Sequence, residues 1–186
     1  SLNAAQNNPF QPDLKFRGFT ASPLVGNAQG ISVYQDGVRI NEPFGDAVNF
    51  ELLPKSAIAS MNMMSGSNPL FGLNTLGGAL SIQTKNGFTH PGHSLEAYTG
   101  SFGRDSGTIE SGGSDGNLAY FVTGSITKED GWRDFSPSRV EQFFSNLSYR
   151  NETSSLDFGI TAVDSDLNGN GASPIELVRE DREAVF

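Results

Sequence analysis

Two histidines provide the first pattern in this chain that could do chemistry. His90 and His93 have the H-x-x-H spacing of some zinc ligands, within the polar stretch THPGH. A zinc site takes three or four protein ligands and usually a regular scaffold, whereas the chain contains 2 histidines and 0 cysteines. We therefore interpret the pair as part of a polar linker and predict neither a metal site nor a cofactor.

A second pattern, GGSDG, satisfies the G-x-S-x-G signature of a hydrolase, with Ser114 as the nucleophile. Such a serine lies on a turn from strand to helix, and the acid and the histidine of its triad follow it in the chain. Here a strand-like segment follows Ser114, and both histidines precede it. Because the order of the triad fails, we predict that the chain is not an enzyme.

A third pattern, DSDLNGNG, begins like a calcium-binding loop. The residues at the matching offsets are Asp164, Asp166, Asn168 and Gly169. The acid that closes such a loop is expected at position 175, but Glu176 comes one residue later. The sequence leaves two interpretations open here, a calcium site and a solvated external loop, and the loop is the default.

The composition excludes one class of partner and leaves a membrane open. A formal net charge of -9 with only 12 lysines and arginines, which are scattered, argues against a nucleic-acid partner. The chain has no run of about 18 apolar residues, the length that a membrane-spanning helix needs. A spanning β-strand needs only about 10 residues of alternating character, so a membrane is not excluded. The start, SLNAAQNNPF, has neither the positive charge nor the apolar core of a signal peptide, which leaves a processed, a truncated or a cytosolic chain open. Because the chain begins within a polar, turn-like stretch, we expect truncation.

The elements that must position any site fall into two regimes that meet near residues 86–93. Before this point, short apolar runs alternate with turn clusters, which predicts a compact mixed domain with short strands. Asp36 and Gly37 lie between two such runs and form a hairpin signal, since glycine tolerates a positive φ. A brief helix is expected around residues 50–60, with Pro54 in its first turn.

After residue 93 the apolar residues recur with a period of two, in segments as long as a tilted membrane-spanning strand. One face of these segments would carry Leu118, Tyr120, Val122, Leu147, Tyr149, Phe158 and Ile160. Short turns alternate with longer loops, as in an outer-membrane barrel, but the strands of a soluble antiparallel sandwich alternate in the same way. By periodicity alone the soluble interpretation is favoured, because soluble β folds are commoner.

Five sequence elements in the first regime reverse this preference. They are RGF at 17–19, VYQDGVRIN at 33–41, LPKSAIASMNMM at 53–64, GSNPLFG at 66–72 and NTLGGALSIQTKNG at 74–87. In their order and spacing they resemble the second half of the plug domain of TonB-dependent outer-membrane receptors. The resemblance covers residues 16–88, and the strands after residue 93 are what the family would place next.

The resemblance implies a mainly β fold. Residues 1–88 would be the C-terminal part of a plug domain, and residues 89–186 the first antiparallel strands of an incomplete transmembrane β-barrel of about 22 strands. The implied function is that of a receptor-transporter in the outer membrane of a Gram-negative bacterium, which takes up a scarce nutrient, most often a ferric siderophore in this family. Outer-membrane lipid would be one partner. A TonB-type energy-transducing protein would be another, through a segment that we expect to be missing here.

In the family, apical plug loops meet the ligand, and two loops occupy matching positions here, residues 22–29 and 41–48. The expected ligand-facing residues are Gly26, Asn27, Gln29, Phe44 and Asp46. Their amide and carboxylate groups could hydrogen-bond a chelate or a glycan, and the phenyl ring could stack. The same residue types also suit plain turns. The substrate stays open among iron chelates, cobalamin, sugars and small peptides.

Many members of the family pair plug arginines with barrel glutamates. Arg17 matches the arginine of the RGF element, whereas Ser65 stands at the usual second arginine and Asn62 replaces the usual acid. Arg17 is therefore the candidate for a charge contact between plug and barrel, and it could instead anchor a strand.

A soluble β-rich module that binds a ligand or a glycan is the alternative function. Its contact surface would contain Tyr98, Phe121, Trp132 and Phe135. The two functions differ in the apolar face of the later strands. A soluble module buries this face against a second sheet, whereas a transporter exposes it as one band.

Overall fold

The computed structural model describes residues 2–8, 10–21, 29–66, 69–168 and 173–184. The chain divides into two compact units, Ser1–Lys85 and Asn86–Phe186. The domain boundary expected from the sequence, after residue 88, lies slightly later in the chain and stays a prediction.

The first unit contains two β-sheets in its described part. Its strands are β1 (Leu2–Asn8), β2 (Gln11–Phe16), β3 (Phe19–Thr20), β4 (Ile31–Gln35), β5 (Val38–Arg39), β6 (Ile58–Ser65) and β7 (Gly78–Thr84). Strands β1, β2 and β3 form an antiparallel sheet, and the other sheet has the order β5-β4-β7-β6. In this second sheet β4 runs parallel to β7, whereas β5 and β6 are antiparallel to their neighbours.

The hairpin of β4 and β5 turns at Asp36 and Gly37, as the sequence predicts. Both residues have left-handed backbone angles, with φ of 49° and 85°, which suit a two-residue hairpin turn of type I′. The Asp36 N–H donates a hydrogen bond to Ile82 O at 2.9 Å. The turn therefore contacts β7 as well as closing its own hairpin.

The helix expected around residues 50–60 is replaced by two 3-10 turns, Phe50–Leu52 and Lys55–Ala57, after which β6 begins. Pro54 lies between the two turns, and Leu53 before it has extended angles, φ -98° and ψ 106°. A proline disfavours helical angles at the preceding residue and has no N–H to donate. The helix prediction was wrong because Pro54 interrupts the segment instead of starting a helix.

The core of the first unit is built from its central strands and the segments beside them. Its buried apolar members are Ala21, Ile31, Val33, Val48, Leu53, Leu80 and Ile82. Removal of these side chains from water supplies the main driving force for folding of the unit. Ser32 and Thr75 are also buried, and their hydroxyl groups hydrogen-bond to each other, which satisfies the polar groups inside the core.

The second unit is an antiparallel sheet in sequential order. Its strands are β8 (Gly92–Gly100), β9 (Arg104–Asp115), β10 (Leu118–Glu129), β11 (Ser138–Arg150) and β12 (Ser155–Leu167). Each strand pairs with the next one along the chain. A short helix, α1 (Ile175–Glu180), follows β12. In the described ranges, no helix has the length and apolar character to cross a membrane.

One face of this sheet is an exposed apolar band. Its large side chains, between 37% and 82% exposed, are Leu95, Ile109, Leu118, Tyr120, Phe143, Leu147, Tyr149, Leu156, Phe158 and Ile160. The strand register places them side by side: Tyr120 pairs with Leu147, and Leu147 pairs with Phe158. The period-two prediction is confirmed, and its apolar face is one exposed band.

The opposite face of the sheet is buried near its middle. Its buried residues include Ala119, Phe121, Thr123, Phe144, Asn146 and Ser148. Phe121 is 2% exposed, and its ring lies 6.5 Å from the ring of Phe144. The alternative function placed Phe121 on a contact surface for a glycan. That placement was wrong, because strand alternation puts Phe121 on the face opposite Leu118 and Tyr120.

The first residues of the second unit lie flat on this buried face. The backbone of Gly87 is so close to the sheet that a Cβ atom there would lie 2.2 Å from Tyr120 O and 2.3 Å from Gly113 O. Gly112 leaves similar room, since its Cβ atom would lie 2.3 Å from His90 O. The two glycines therefore permit a backbone-to-backbone approach that a side chain would block.

Strand β12 includes the first residues of the DSDLNGNG pattern. Asp164 and Asp166 pair with Glu141 and Arg139 of β11, so the solvated loop expected here starts only after Leu167. Gly169 lies outside the described residues. Within the ranges that the structure describes, no group of three or more His, Cys, Asp or Glu residues could hold a metal ion.

Candidate ligand-binding site

The sheet topology brings three segments of the first unit to one end. Strands β4 and β7 are parallel, so the described residues that precede them, 29–30 and 69–77, lie at the same end of the sheet. Strand β5 returns antiparallel to β4, so residues 41–48 after it reach this end as well. The Gly77 N–H donates to Gly30 O at 2.9 Å, which joins two of the segments. We call this the loop end of the first unit.

The predicted ligand-facing residues have different surroundings. Gly26 and Asn27 lie outside the described part of the chain. Gln29 forms a bridge with Thr20 and is half-buried. Phe44 projects from the loop end with 93% of its surface exposed. Asp46 lies on the same loop as Phe44, so the topology brings Gln29, Phe44 and Asp46 to the same end, while their role toward a ligand stays a prediction.

The loop of residues 41–48 is closed on itself and anchored at its base. The Glu42 N–H donates to Ala47 O at 2.8 Å, and the Val48 N–H donates to Ala21 O at 2.7 Å. Ala47 and Val48 are buried. Hydrogen bonds and apolar burial together therefore hold the base of the loop, while its tip stays in solvent.

Asn41 at the start of this loop imitates a peptide group beside β4. Its Oδ1 accepts a hydrogen bond from the Val33 N–H at 2.7 Å, and its Nδ2 donates to Ile31 O at 3.0 Å. The same Nδ2 donates to Asp46 O at 2.9 Å, and Oδ1 also accepts from Arg39 Nε at 3.3 Å. The side chain thus continues the pairing of β4 beyond the end of β5 and connects it to the loop.

The Asp46 carboxylate connects two of the segments at the loop end. Its Oδ1 accepts a hydrogen bond from Arg39 Nη2 at 2.7 Å, and the two groups form an ion pair. Its Oδ2 accepts a hydrogen bond from Asn74 Nδ2, in the segment before β7. The Asp46 side chain is 26% exposed. Both of its oxygens are therefore used within the protein at a partly buried position.

The segment of residues 69–77 is part of the loop end, although the sequence did not predict it as part of the site. Leu70 and Leu73 are 88% and 87% exposed. The hydroxyl of Tyr34 donates to Phe71 O at 2.6 Å, which holds the segment to β4. The segment reaches the loop end because β4 pairs in parallel with β7. No local sequence pattern indicates this pairing, so the sequence offered no signal for the segment.

Arg17, the predicted charge contact, lies in the turn between β2 and β3. Its φ is 53°, and its guanidinium lies 5.3 Å from the ring centroid of Phe16. Asn62 lies within β6 and Ser65 ends it. The contact of Arg17 with barrel glutamates stays a prediction.

The histidine and serine motifs lie in the second unit and form local contacts. Thr89 Oγ1 lies 2.8 Å from His90 Nδ1, and Ser111 Oγ lies 2.9 Å from His93 Nδ1. Ser114 lies at the end of β9, in the hairpin that leads to β10. The G-x-S-x-G pattern therefore forms a turn from strand to strand, whereas a nucleophile elbow needs a turn from strand to helix.

Comparison with known proteins gives a family match for most of the first unit and fold matches over most of the chain. A family model described as TonB-dependent Receptor Plug Domain matches residues 1–79. A comparison with curated proteins found no match.

Solved structures of outer-membrane receptors share the fold of this chain. The pyoverdine outer membrane receptor FpvA from Pseudomonas aeruginosa PAO1 has a TM-score of 0.64 and 14% identity, over 88% of this chain and 23% of that one. The siderophore receptor PiuA from Acinetobacter baumannii has a TM-score of 0.64 and 18% identity, over 89% of this chain and 22% of that one. The ferric-catecholate import receptor Fiu from E. coli K12 has a TM-score of 0.63 and 17% identity, over 87% of this chain and 23% of that one.

The plug model covers most of the first unit, and the structural matches extend over the sheet of the second. The chain spans 22% to 23% of the length of these receptors. TonB-dependent receptors are transporters of the Gram-negative outer membrane and not enzymes. Residues 1–79 therefore belong to the plug domain family of TonB-dependent outer-membrane receptors, and the strands after them have the fold that follows the plug in such receptors.

Proposed function

We propose that this chain supplies the plug and the first barrel strands of a receptor-transporter that takes up a ferric siderophore across the outer membrane. The observation that carries the proposal is the succession of its two units. A plug-type sheet with a loop end is followed by a sheet that exposes one apolar face. In this class of transporter a barrel faces lipid and a plug fills its lumen.

The apolar band of the second unit suits contact with lipid. Leu147 and Phe158 pair across β11 and β12 and are 53% and 60% exposed. A large contiguous apolar patch marks a surface that contacts another protein or a membrane. A soluble glycan-binding module would need a second sheet over this band, whereas a barrel needs only the hydrocarbon of the bilayer.

The loop end of the first unit is where the ligand would bind. Phe44 would meet it together with Gln29 and the predicted residues Gly26 and Asn27. The exposed side chains of Phe44, Leu70 and Leu73 are apolar, which suits an organic iron chelator with aromatic or aliphatic parts. Asp46, the fifth predicted ligand-facing residue, lies on the Phe44 loop and is bonded to Arg39 and Asn74.

A TonB-type energy-transducing protein is the partner that the family implies. It would rearrange the plug from the periplasmic side, after ligand has bound at the loop end. Outer-membrane lipid would be the second partner, through the apolar band.

Uptake of radioactive iron by cells tests the proposal. A Gram-negative strain without siderophore receptors of its own would express the complete receptor, and would be given iron-55 on a tris-catecholate or a trihydroxamate siderophore. We expect uptake of at least one complex, and we expect it to stop when the TonB-type protein is deleted. Phe44→Ala should lower the affinity of the receptor for the iron complex about tenfold through loss of an aromatic contact, read as a higher concentration for half-maximal uptake.

Val38 offers a matched control, since it is 67% exposed and lies next to the hairpin turn of β5, away from the loop end. Val38→Ala should leave uptake unchanged. Absence of uptake for every complex, or uptake without the TonB-type protein, would contradict the proposal.

A further inference from the structure

The Asp46 carboxylate is surrounded by groups of its own chain, although its loop carries the proposed ligand contact Phe44. Arg39 Nη2 donates to one oxygen at 2.7 Å, and Asn74 Nδ2 donates to the other. These three residues come from β5, from the loop of residues 41–48 and from the segment before β7. One carboxylate therefore ties two segments of the loop end to each other and to β5. We call Arg39, Asp46 and Asn74 the latch.

Two members of the latch have strained backbones. The φ angles of Asp46 and Asn74 are 58° and 59°, in the left-handed region that costs free energy for residues other than glycine. Asp and Asn tolerate this region better than most residues. The two left-handed residues are joined directly by a side-chain hydrogen bond. The hydrogen bond therefore joins two tight turns whose backbone angles must be held by such contacts.

The surroundings of Arg39 accommodate its guanidinium. A Cβ atom at Gly72 would lie 3.6 Å from Arg39 Nη1, and the φ of Gly72 is 76°. Arg39 Nε donates to Asn41 Oδ1 at 3.3 Å, so a second group orients the same side chain. The Arg39 side chain is 28% exposed. Partial shielding from water makes the ion pair with Asp46 stronger than a fully exposed pair.

We propose that Asp46 is a positioning residue, which orders the loop end of the ligand-free receptor and so presents Phe44, without binding the ligand itself. This inference rests on the proposed function, because it takes Phe44 as a ligand contact. When a binding loop is ordered in only a fraction of the molecules, the apparent affinity falls by that fraction. Loss of the latch therefore slows association, whereas loss of a direct ligand contact speeds dissociation.

A spin label on the Phe44 loop reports how well the latch orders this loop when no ligand is present. The chain contains 0 cysteines, so a cysteine at position 44 can carry a nitroxide at a site whose side chain is 93% exposed. We expect Asp46→Ala to add a fast-motion component to the spectrum of this label. Asp46→Asn keeps an oxygen acceptor for Asn74 and should restore most of the ordered spectrum. A label at position 38, next to the hairpin turn at the other end of β5, should have the same spectrum in all three backgrounds.

Binding rates distinguish positioning from direct contact. The probes are iron-loaded tris-catecholate and trihydroxamate siderophores, added to the complete receptor in detergent. For a complex that binds, Asp46→Ala should weaken affinity about tenfold through the association rate, with dissociation within about twofold of the unaltered rate. Phe44→Ala should act through the dissociation rate.

The outcomes separate the two proposals. If Asp46→Ala leaves the spectrum at position 44 unchanged, or weakens binding through faster dissociation, the positioning role is wrong. If neither iron complex binds the unaltered receptor, the proposed function fails for these ligands, and the spectrum alone then decides whether the latch orders the loop.

Discussion

The carboxylate of Asp36 accepts two hydrogen bonds from Thr84, one from the backbone N–H at 2.8 Å and one from the hydroxyl at 2.7 Å. Asp36 forms the turn between β4 and β5, and Thr84 is the last residue of β7. The pair therefore fastens a hairpin turn to the neighbouring parallel strand. It lies at the end of the sheet opposite the loop end. An aspartate therefore joins neighbouring segments at each end of this sheet, Asp36 at one end and Asp46 at the other.

We expect Asp36→Ala to release the end of β7. The change removes both acceptors and places alanine at a φ of 49°, where alanine is strained. The Thr84 amide should then exchange its hydrogen about tenfold faster, which corresponds to about 1.4 kcal/mol of local stability. Hydrogen exchange measured by mass spectrometry checks this. Asp36→Asn, which keeps one oxygen acceptor and tolerates the left-handed conformation, should have a smaller effect, and equal rates in all three proteins would contradict the role of the carboxylate.

A methyl group at position 87 should disrupt the second unit. The Cβ atom of Gly87→Ala would lie 2.2 Å from Tyr120 O and 2.3 Å from Gly113 O, so the backbone must move. We expect a loss of about 2–3 kcal/mol of stability, as for other overpacked sites. Unfolding by urea, followed by fluorescence of Trp132, measures the loss.

Gly107→Ala is the matched control in the same sheet, because the nearest atom to its Cβ would be Ile126 Cγ2 at 4.0 Å. The free energy of unfolding of Gly107→Ala should be unchanged or higher by up to about 0.5 kcal/mol, since alanine restricts the unfolded chain more than glycine does. Similar losses for the two variants would mean that position 87 is not a close backbone contact.

Removal of one partner of the Arg104–Glu129 ion pair should cost more stability than removal of both charges. Arg104 Nε and Nη2 both donate to Glu129 Oε2, the first at 2.9 Å, and the Glu129 side chain is only 9% exposed. Arg104→Met leaves a shielded carboxylate without its cation, at a cost of about 2 kcal/mol, less than for a fully buried pair because Arg104 is partly exposed. Adding Glu129→Gln should recover about half of this loss. Urea unfolding of the three variants measures the coupling, and additive losses would contradict it.

Two adjacent residues of β12 test the orientation of the sheet in the membrane. Ile160 belongs to the apolar band and is 49% exposed, whereas Thr161 lies on the other face. Ile160→Arg in the complete receptor should cost about 2–4 kcal/mol if the residue lies near the middle of the bilayer. Thr161→Arg should be tolerated. The fraction of heat-modifiable, folded receptor in outer-membrane extracts checks both, and equal amounts of the two variants would contradict contact of the band with lipid.

Local patterns predicted the parts of the fold that depend on neighbouring residues. The Asp36-Gly37 turn followed from two residues that accept left-handed angles. The two faces of β10 followed from the alternation of Leu118 and Ala119, because successive side chains of a strand point to opposite sides. The helix around Pro54 failed for a local reason as well, since the proline forces extended angles on Leu53.

The latch could not be predicted from local patterns. Asp46 and Asn74 are 28 residues apart in the chain, and they meet because β4 pairs in parallel with β7, a choice that depends on the packing of the whole unit. The sequence predicts Asp46 as a ligand-facing residue because it lies in an apical loop. The hydrogen bonds to its two oxygens arise only when β7 is in place.

The strands of the four-stranded sheet in the first unit are held by ladders of unequal length. Strand β5 pairs with β4 through two residue pairs, β4 pairs with β7 through five, and β6 pairs with β7 through seven. A short ladder has few bonds to share a load, so the attachment of β5 also depends on side chains beside the strand, those of Asp36, Arg39 and Asn41. Within this sheet β5 is therefore the strand held by the fewest ladder pairs, and the Phe44 loop after it relies for its attachment on side-chain and loop-base hydrogen bonds.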